Sequence, residues 1–259
     1  MPLSLTNFYM SNCNMFILLK KIRAILLLTL FSTGLANAVG GVQVLQTRVI
    51  FNEGDKSALT TVRNNGDAPY LVKSDVLTTL DETASNANNS PFILTPPIAR
   101  LEANSENALR ILRQPGKTLP KDRESVYYLS FLAIPSSGKN EQDSEGMVAG
   151  KMTVGLQLII KLFYRPEGLT ELPAEAPSKL TFQRVAGGVK VNNPTPYHVT
   201  FSELKVGNKV VEVDNVGAMV APFEQKTFKH EIGTATTVTW QGITDLGDVT
   251  KVFTSTIGN

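Results

Sequence analysis

The chain has 259 residues, 42% hydrophobic and 7% aromatic, enough apolar material for one or two globular domains. It carries 25 Lys and Arg against 23 Asp and Glu, but Lys20, Lys21 and Arg23 fall in the first 38 residues, which hold no acid, and the remainder has 22 bases against 23 acids. A mature chain so close to neutral has no global electrostatic grip on nucleic acid.

The three basic residues precede Ala24–Phe31 (AILLLTLF), a short apolar run, and Ala36-Asn37-Ala38, a small-x-small cleavage site. That anatomy is a secretory signal peptide, residues 1–38, cut after Ala38. A membrane anchor would need about 20 apolar residues. Met1, Met10 and Met15 all remain open as the start of translation. Cys13, the one cysteine, leaves with the signal peptide. An exported chain without a disulfide must rely on its core, which calls for domains of about 100 residues or more. Cysteine catalysis and thiolate metal sites are excluded as well.

After Ala38 the chain reads as short β-like runs divided by turn residues. Val42–Phe51 is strand-like and ends at Asn52-Glu53-Gly54-Asp55. Ala58–Arg63 and Tyr70–Leu77 follow, separated by Asn64-Asn65-Gly66-Asp67. A polar stretch, Thr78–Ser90, leads on to Ala108–Arg113 and Val126–Ile134. Ser136–Gly146 is polar, acidic and free of apolar side chains, and reads as a loop. Beyond Pro166 the runs are Leu180–Val185, Gly188–Val191, Tyr197–Val206, Lys209–Val213, Gln225–Lys229, Thr236–Trp240 and Val249–Thr254. Turn signals recur about every 8–12 residues without a long 3.6-residue period, which predicts an all-β protein of antiparallel sandwiches.

Lys151–Pro166 (KMTVGLQLIIKLFYRP) stands out. Met152, Val154, Leu156, Leu158, Ile160 and Leu162 occupy every second position, with Lys151, Thr153, Gln157 and Lys161 between them. A period of two places the sets on opposite faces of a strand. At about 3.3 Å per residue it would span on the order of 40 Å or more, against a usual strand of about 5–6 residues. A long apolar edge recruits other strands, so this one is either used to bind them or is simply core. Gly155 falls on the outer face, where it allows a bend or a close approach of another backbone. Pro166-Glu167-Gly168, with Pro173 and Pro177 beyond, marks a boundary between halves 39–166 and 167–259, each suited to an immunoglobulin-like domain.

The residues for catalysis are scarce. His198 and His230 are the only histidines, and both are expected on ordinary strand surfaces. There is no Gly-x-Ser-x-Gly elbow, HExxH or phosphate loop, and no acidic cluster at metal-ligand spacing. No catalytic residue, metal, cofactor or small-molecule substrate is expected.

Four segments carry a family resemblance: Thr47-Arg48-Val49-Ile50-Phe51; Leu119-Pro120-Lys121-Asp122-Arg123-Glu124-Ser125 with Tyr128 and Ile134-Pro135; Lys161-Leu162-Phe163-Tyr164-Arg165-Pro166; and Asn193-Pro194-Thr195-Pro196-Tyr197. Thr95-Pro96-Pro97 with Arg100-Leu101 is a fifth, weaker one. In this order and spacing the chain resembles the periplasmic chaperones of the chaperone–usher pilus pathway. The resemblance implies two immunoglobulin-like β-sandwiches set in an L with a cleft between them. It implies a chaperone that holds pilus subunits by donor-strand complementation and passes them to an outer-membrane usher. By motif, Arg48 and Lys161 would anchor the subunit's C-terminal carboxylate. The donor residues would be Met152, Val154, Leu156, Leu158 and Ile160. Glu124, Arg165 and, by a looser match, Asp245 would join the domains by ion pairing. Thr95, Pro96 and Pro97 would touch the usher, although X-Pro-Pro is also an ordinary bend. The edge also suggests weak self-dimerisation when empty. Many relatives carry a second-domain disulfide, absent here. The moderate loop and missing cysteine pair favour the short-loop branch. The rival reading is a two-domain extracytoplasmic binding or adhesive module, or a fibre subunit.

Overall fold

A computed structural model describes residues 41–80, 89–136, 154–213 and 217–258. Residues 1–38, expected as a signal peptide, most of Thr78–Ser90, all but Ser136 of the expected loop Ser136–Gly146, and Met152 lie outside them. In the first half the strands are β1 (Val42–Val44), β2 (Arg48–Asn52), β3 (Ala58–Asn64), β4 (Tyr70–Leu77), β5 (Phe92–Thr95), β6 (Ile98–Leu101), β7 (Ser105–Arg113), β8 (Ser125–Pro135) and β9 (Leu156–Arg165). In the second they are β10 (Thr181–Val185), β11 (Gly188–Asn192), β12 (Val199–Val206), β13 (Lys209–Val210), β14 (Met219–Val220), β15 (Gln225–Lys229), β16 (Thr237–Gly242) and β17 (Phe253–Thr256).

The first half is a sandwich of two sheets, ordered β1-β3-β7-β5 and β2-β9-β8-β4-β6. The run expected as one strand over Val42–Phe51 is broken. Its first part pairs with β3 in one sheet and its second with β9 in the other. Gln46 sits at the crossing, where its side-chain oxygen accepts from the Thr60 hydroxyl and the Thr61 amide, both at 3.1 Å. A second crossing was not expected from the pattern. Thr95-Pro96-Pro97, with a cis Thr95–Pro96 bond, passes the chain from β5 to β6. Proline cannot donate to a ladder, so the run suits a point where the chain leaves one sheet for the other.

Inward positions of both sheets form one core, with Phe51, Phe92, Leu109, Ile111, Leu129, Phe131, Leu162 and Tyr164 buried in it. Phe92 is its aromatic hub, with ring centroids 5.0 Å from Phe51, 5.3 Å from Tyr127 and 6.0 Å from Tyr164. The second half has sheets β10-β11-β15 and β13-β12-β16-β17, with β14 on β12. Its own core holds Phe182, Val189, Val191, Leu204, Val238 and Trp240. The segment Pro173–Lys179 is a 3-10 helix, and Trp240 Nε1 donates to the Pro177 carbonyl at 2.8 Å, seating it on that core. Among the described residues no helix is long and apolar enough to cross a membrane.

β9 is shorter than the periodicity predicts. Its described part begins at Leu156, and Val154 and Gly155 precede the ladder. The partner strand explains the limit. Leu156 pairs with Ala133, and continued antiparallel register would set Val154 against Pro135, which has no N–H to give.

Phe92→Ala is expected to cost about 3–5 kcal/mol of stability, read as a lower urea midpoint. Leu246→Ser, at a position 89% exposed, is expected to stay within about 0.5 kcal/mol of the parent.

Candidate functional site

The two faces of β9 divide the work. Even positions run into the first core: Leu162 and Tyr164 are buried, and Leu158 and Ile160 are half-buried against it. Odd positions Lys161, Phe163 and Arg165 lie on the opposite face, toward the second sandwich. Strand β2 runs parallel to β9, with Arg48 opposite Lys161, Ile50 opposite Phe163 and Asn52 opposite Arg165. This ladder begins only at Lys161. Strand β8 covers the other side of β9 from Leu156 to Tyr164, so Leu156–Ile160 keeps one edge without a strand partner among the described residues. The open edge is about 17 Å long at 3.3 Å per residue and ends at the two cations.

A groove of about 570 Å³ follows that edge. Val42 and Val44 of β1 and Leu158 and Ile160 of β9 line its apolar walls. Arg48 and Lys161 line it as well, and Thr200, Phe201, Ala218 and Ile243 close it from the second sandwich. Arg48 is only 9% exposed. Its Nη1 donates to the Ile243 carbonyl at 3.2 Å, its guanidinium stands 5.7 Å from the Phe163 ring, and its Nε has no partner. Burial holds Arg48 below its ordinary pKa, offset in part by Asp245 and Glu124. Lys161 is pulled down to about 8, by burial first and then by Arg48 and Lys226. The empty groove thus holds two poorly solvated cations side by side, the environment in which a carboxylate gains most.

Glu124, Arg165 and Asp245 meet behind this groove. Arg165 Nε donates to Glu124 Oε1 at 2.8 Å, while Nη1 and Nη2 form a fork on Asp245 at 2.7 and 2.9 Å. Burial alone would depress Arg165, but the hydrogen bonds and charges of Asp245 and Glu124 outweigh it and hold it above its ordinary value. Glu124 Oε2 also accepts from the His198 amide at 2.9 Å, and the Glu124 amide donates to the Pro196 carbonyl at 2.9 Å. Those partners are fixed by buried Asn193. Its Nδ2 donates to the carbonyls of Tyr197, Val220 and Ala221, and its Oδ1 accepts from Thr195. Glu124 and Arg165 belong to the first sandwich and Asp245 to the second, so the network crosses the junction.

His198 is not on an ordinary strand surface. Its side chain is 4% exposed, its ring lies 5.4 Å from Phe163, and its Nδ1 stands 3.5 Å from Glu124 Oε2, outside hydrogen-bond geometry. Burial follows from its place after the Asn193–Tyr197 turn, which presses it into the junction. Phe163, 3% exposed between Arg48 and His198, was not singled out in the sequence. The signal available was an aromatic on the polar face of β9, between Lys161 and Arg165. Arg123 likewise crosses the junction, 5.0 Å from the Phe223 ring.

Residues 41–170 match the family described as pili and flagellar-assembly chaperone, PapD N-terminal domain, and residues 175–254 match the pili assembly chaperone PapD, C-terminal domain. The chain belongs to the PapD-type pilus chaperones of the chaperone–usher pathway. The probable fimbrial chaperone protein ElfD of Escherichia coli K12 is 37% identical over 218 residues, 83% of this chain and 87% of that one. The chaperone protein FimC of the same strain is 35% identical over 84% of this chain and 85% of its own. Among solved structures, the E. coli chaperone DraB superposes with a TM-score of 0.72 at 31% identity, over 85% of this chain and 97% of that one. The SafB chaperone, solved in complex with the Salmonella enterica SafA pilin, gives 0.72 at 29% identity, over 86% and 99%. The family is one of periplasmic chaperones rather than enzymes.

On the pilus-chaperone fold, the four sets of residues selected from the sequence fall in different places. Arg48 and Lys161 are brought together, as are Glu124, Arg165 and Asp245. Of the donor set, Leu156 is 47% exposed and Leu158 and Ile160 are half-buried in the chain's own core, whereas Val154, 71% exposed, precedes the strand. Met152 lies outside the described residues. Thr95, Pro96 and Pro97 are far along the other edge of the first sandwich, flanked by Ile93, 42% exposed, and Ile98, 55% exposed.

Glu124→Ala leaves Arg165 half-paired and the His198 amide without its acceptor, and is expected to cost about 3 kcal/mol. Asp245→Ala removes a carboxylate that is 42% exposed and is expected to cost under about 1 kcal/mol. Thermal unfolding of the two variants side by side checks the order.

Proposed function

We propose that this chaperone captures pilus subunits by lending them the open edge of β9, with Arg48 and Lys161 anchoring the subunit's terminal carboxylate. The observation that carries the reading is the coincidence of three features at one point: the free edge ends, the β2 ladder begins, and two cations, Arg48 buried and Lys161 half-buried, stand side by side. A subunit strand that hydrogen-bonds along Leu156–Ile160 continues the sheet until it meets β2, and a carboxylate at its end stays there with the cations. The anchor fixes register, because a slip of one residue would turn every apolar side chain to the wrong face. Leu158 and Ile160 already bury part of their surface, so each adds about 1 kcal/mol on capture, less than the 1.5–3 kcal/mol of a fully exposed side chain. Leu156 and the segment before it have more to contribute. The gains on capture are therefore shared between edge and anchor more evenly than an unattached strand would allow.

Delivery to the outer-membrane usher belongs to the same proposal. The exposed bend at Thr95, Pro96 and Pro97, with Ile93 and Ile98 beside it, offers an apolar contact on the side of the sandwich away from the groove. Release would follow by exchange, another subunit's strand replacing β9. The chain would act in the periplasm after signal-peptide cleavage, without a cofactor. Weak self-pairing through the open edge is the expected behaviour of the empty chaperone, and sedimentation across a concentration series measures it.

Co-expression with subunits encoded beside it, followed by co-purification from the periplasm, tests the reading. A one-to-one complex lost in Arg48→Ala and in Lys161→Ala supports it; a complex that survives both sinks the anchor. Leu156→Asp should weaken capture with the anchor intact. Capture should also depend on pH. A carboxylate binds the protonated ammonium of Lys161, which titrates at about 8 in the empty groove. Affinity is therefore expected to be flat below pH 7 and to fall about tenfold per pH unit above 8. In Lys161→Arg that fall should vanish, as followed by calorimetry from pH 6.5 to 9.5.

A further inference from the structure

One turn of the second sandwich, at Ile243, lines the groove beside Arg48, next to Thr200, Phe201 and Ala218. Ile243 to Asp248 closes a tight hairpin, with the Gly247 amide donating to Thr244 O at 3.0 Å and the Thr244 amide to Asp248 O at 2.8 Å. Three points of this turn touch the first sandwich. The Ile243 carbonyl accepts from Arg48. Asp245 forks onto Arg165. Gly247 lies so close to Thr47 that a Cβ built on it would stand 2.5 Å from the Thr47 hydroxyl oxygen. Gly247 also has φ +91°, a conformation in which L side chains are strained. Thr47 immediately precedes Arg48 in the chain.

We propose that this turn is a positioning device for the carboxylate anchor: the close approach of Gly247 to Thr47 sets the Ile243 carbonyl at the distance that aims the Arg48 guanidinium into the groove. The inference rests on the anchor reading above. The argument is geometric. Arg48 is 9% exposed and its Nε has no partner, so the Ile243 carbonyl and the Phe163 ring are the contacts that orient its head. Phe163 is fixed in β9, within the first sandwich. The carbonyl is fixed only as well as the junction is, and at the Gly247–Thr47 approach the turn leaves no room for a Cβ. Asp245 holds the turn down by charge, and Gly247 determines how far down it goes. Gly247 is thus a positioning residue, acting through Arg48; Ile243 and Thr47 also line the groove, so their part in positioning is read from the carboxylate preference and not from affinity alone.

The test uses the mature chain and two synthetic decapeptides of the same alternating apolar and polar sequence, one ending in a free carboxylate and one in a carboxamide. Their affinity ratio isolates the anchor from strand pairing and is not moved by a merely structural defect. Wild type is expected to prefer the carboxylate by about tenfold to a hundredfold, the range of a charge-assisted hydrogen bond, and Arg48→Ala to abolish the preference. Gly247→Ala should cut it by about tenfold and leave carboxamide affinity unchanged. Thr47→Ala in that background, which removes the clashing hydroxyl, should restore it to within about threefold. Thr47→Leu, which thickens the contact without straining the turn, should reproduce the loss if Gly247→Ala does not fold. Loss of preference in Arg48→Ala but not in Gly247→Ala or Thr47→Leu overturns the positioning role and leaves the anchor standing. No preference in wild type, or an undiminished one in Arg48→Ala, overturns the anchor and this inference with it.

Discussion

Everything at the groove depends on one backbone ladder, the parallel pairing of β2 with β9. It sets Arg48 beside Lys161 in register, and parallel strands put directly paired side chains on one face. Two like charges in a poorly solvated place repel, and each is held below its ordinary pKa. Arg48 is buried and held against the Ile243 carbonyl of the second sandwich, and Lys161 is half-buried in mid-strand beside it. The fold therefore carries an electrostatic cost that Asp245 and Glu124 offset only in part, and the carboxylate of the proposed anchor would relieve it. Sites that bind charge commonly take this form: local instability maintained by the stability of the surrounding cores.

The junction between the sandwiches is tied by a connected set of hydrogen bonds and ion pairs. Glu124 serves three partners, Arg165, the His198 amide and, through its own amide, Pro196. Each is held by a rigid neighbour: Arg165 by β9, the other two by the turn that Asn193 braces. Buried ion pairs contribute little net stability because desolvation offsets their attraction. Their value here is geometric, since a bidentate fork between Arg165 and Asp245 admits little rotation. Apolar packing would hold the two halves as tightly without defining an angle so narrowly.

The parts of this protein legible in its sequence are those governed by short-range periodicity. Alternation identified β9 and its core face, and turn residues bounded most of the other strands. Two things escaped. Strand crossings between sheets, at Leu45–Thr47 and at Thr95–Pro97, leave the local pattern apolar and β-like on both sides, so one strand was read where two occur and β5 and β6 were passed over. Contacts across the junction escaped for a different reason. His198 and Phe163 are ordinary residues whose burial depends on a surface more than thirty residues distant in the chain. The Arg48, Lys161, Glu124, Arg165 and Asp245 set could be named only through resemblance, because no spacing rule links charges so widely separated. The stated length of the long strand was set by its own alternation. Its observed start was set by a proline on its neighbour.

The crossing at Leu45–Thr47 has one further consequence. By moving the chain from one sheet to the other it leaves the sandwich unsealed along a single seam, bounded at one end by cations. A strand that enters the seam and runs on past Lys161 would collide with β2, so the opening is a blind slot. Under the capture proposed above, such a slot would select polypeptide ends over internal segments, whatever their sequence. A periplasm crowded with unfolded, edge-exposing chains offers many β-prone stretches but far fewer that stop at the right place. On that reading the seam would work as a gauge of where a chain terminates, and a sticky edge could persist in solution without becoming a general aggregation nucleus.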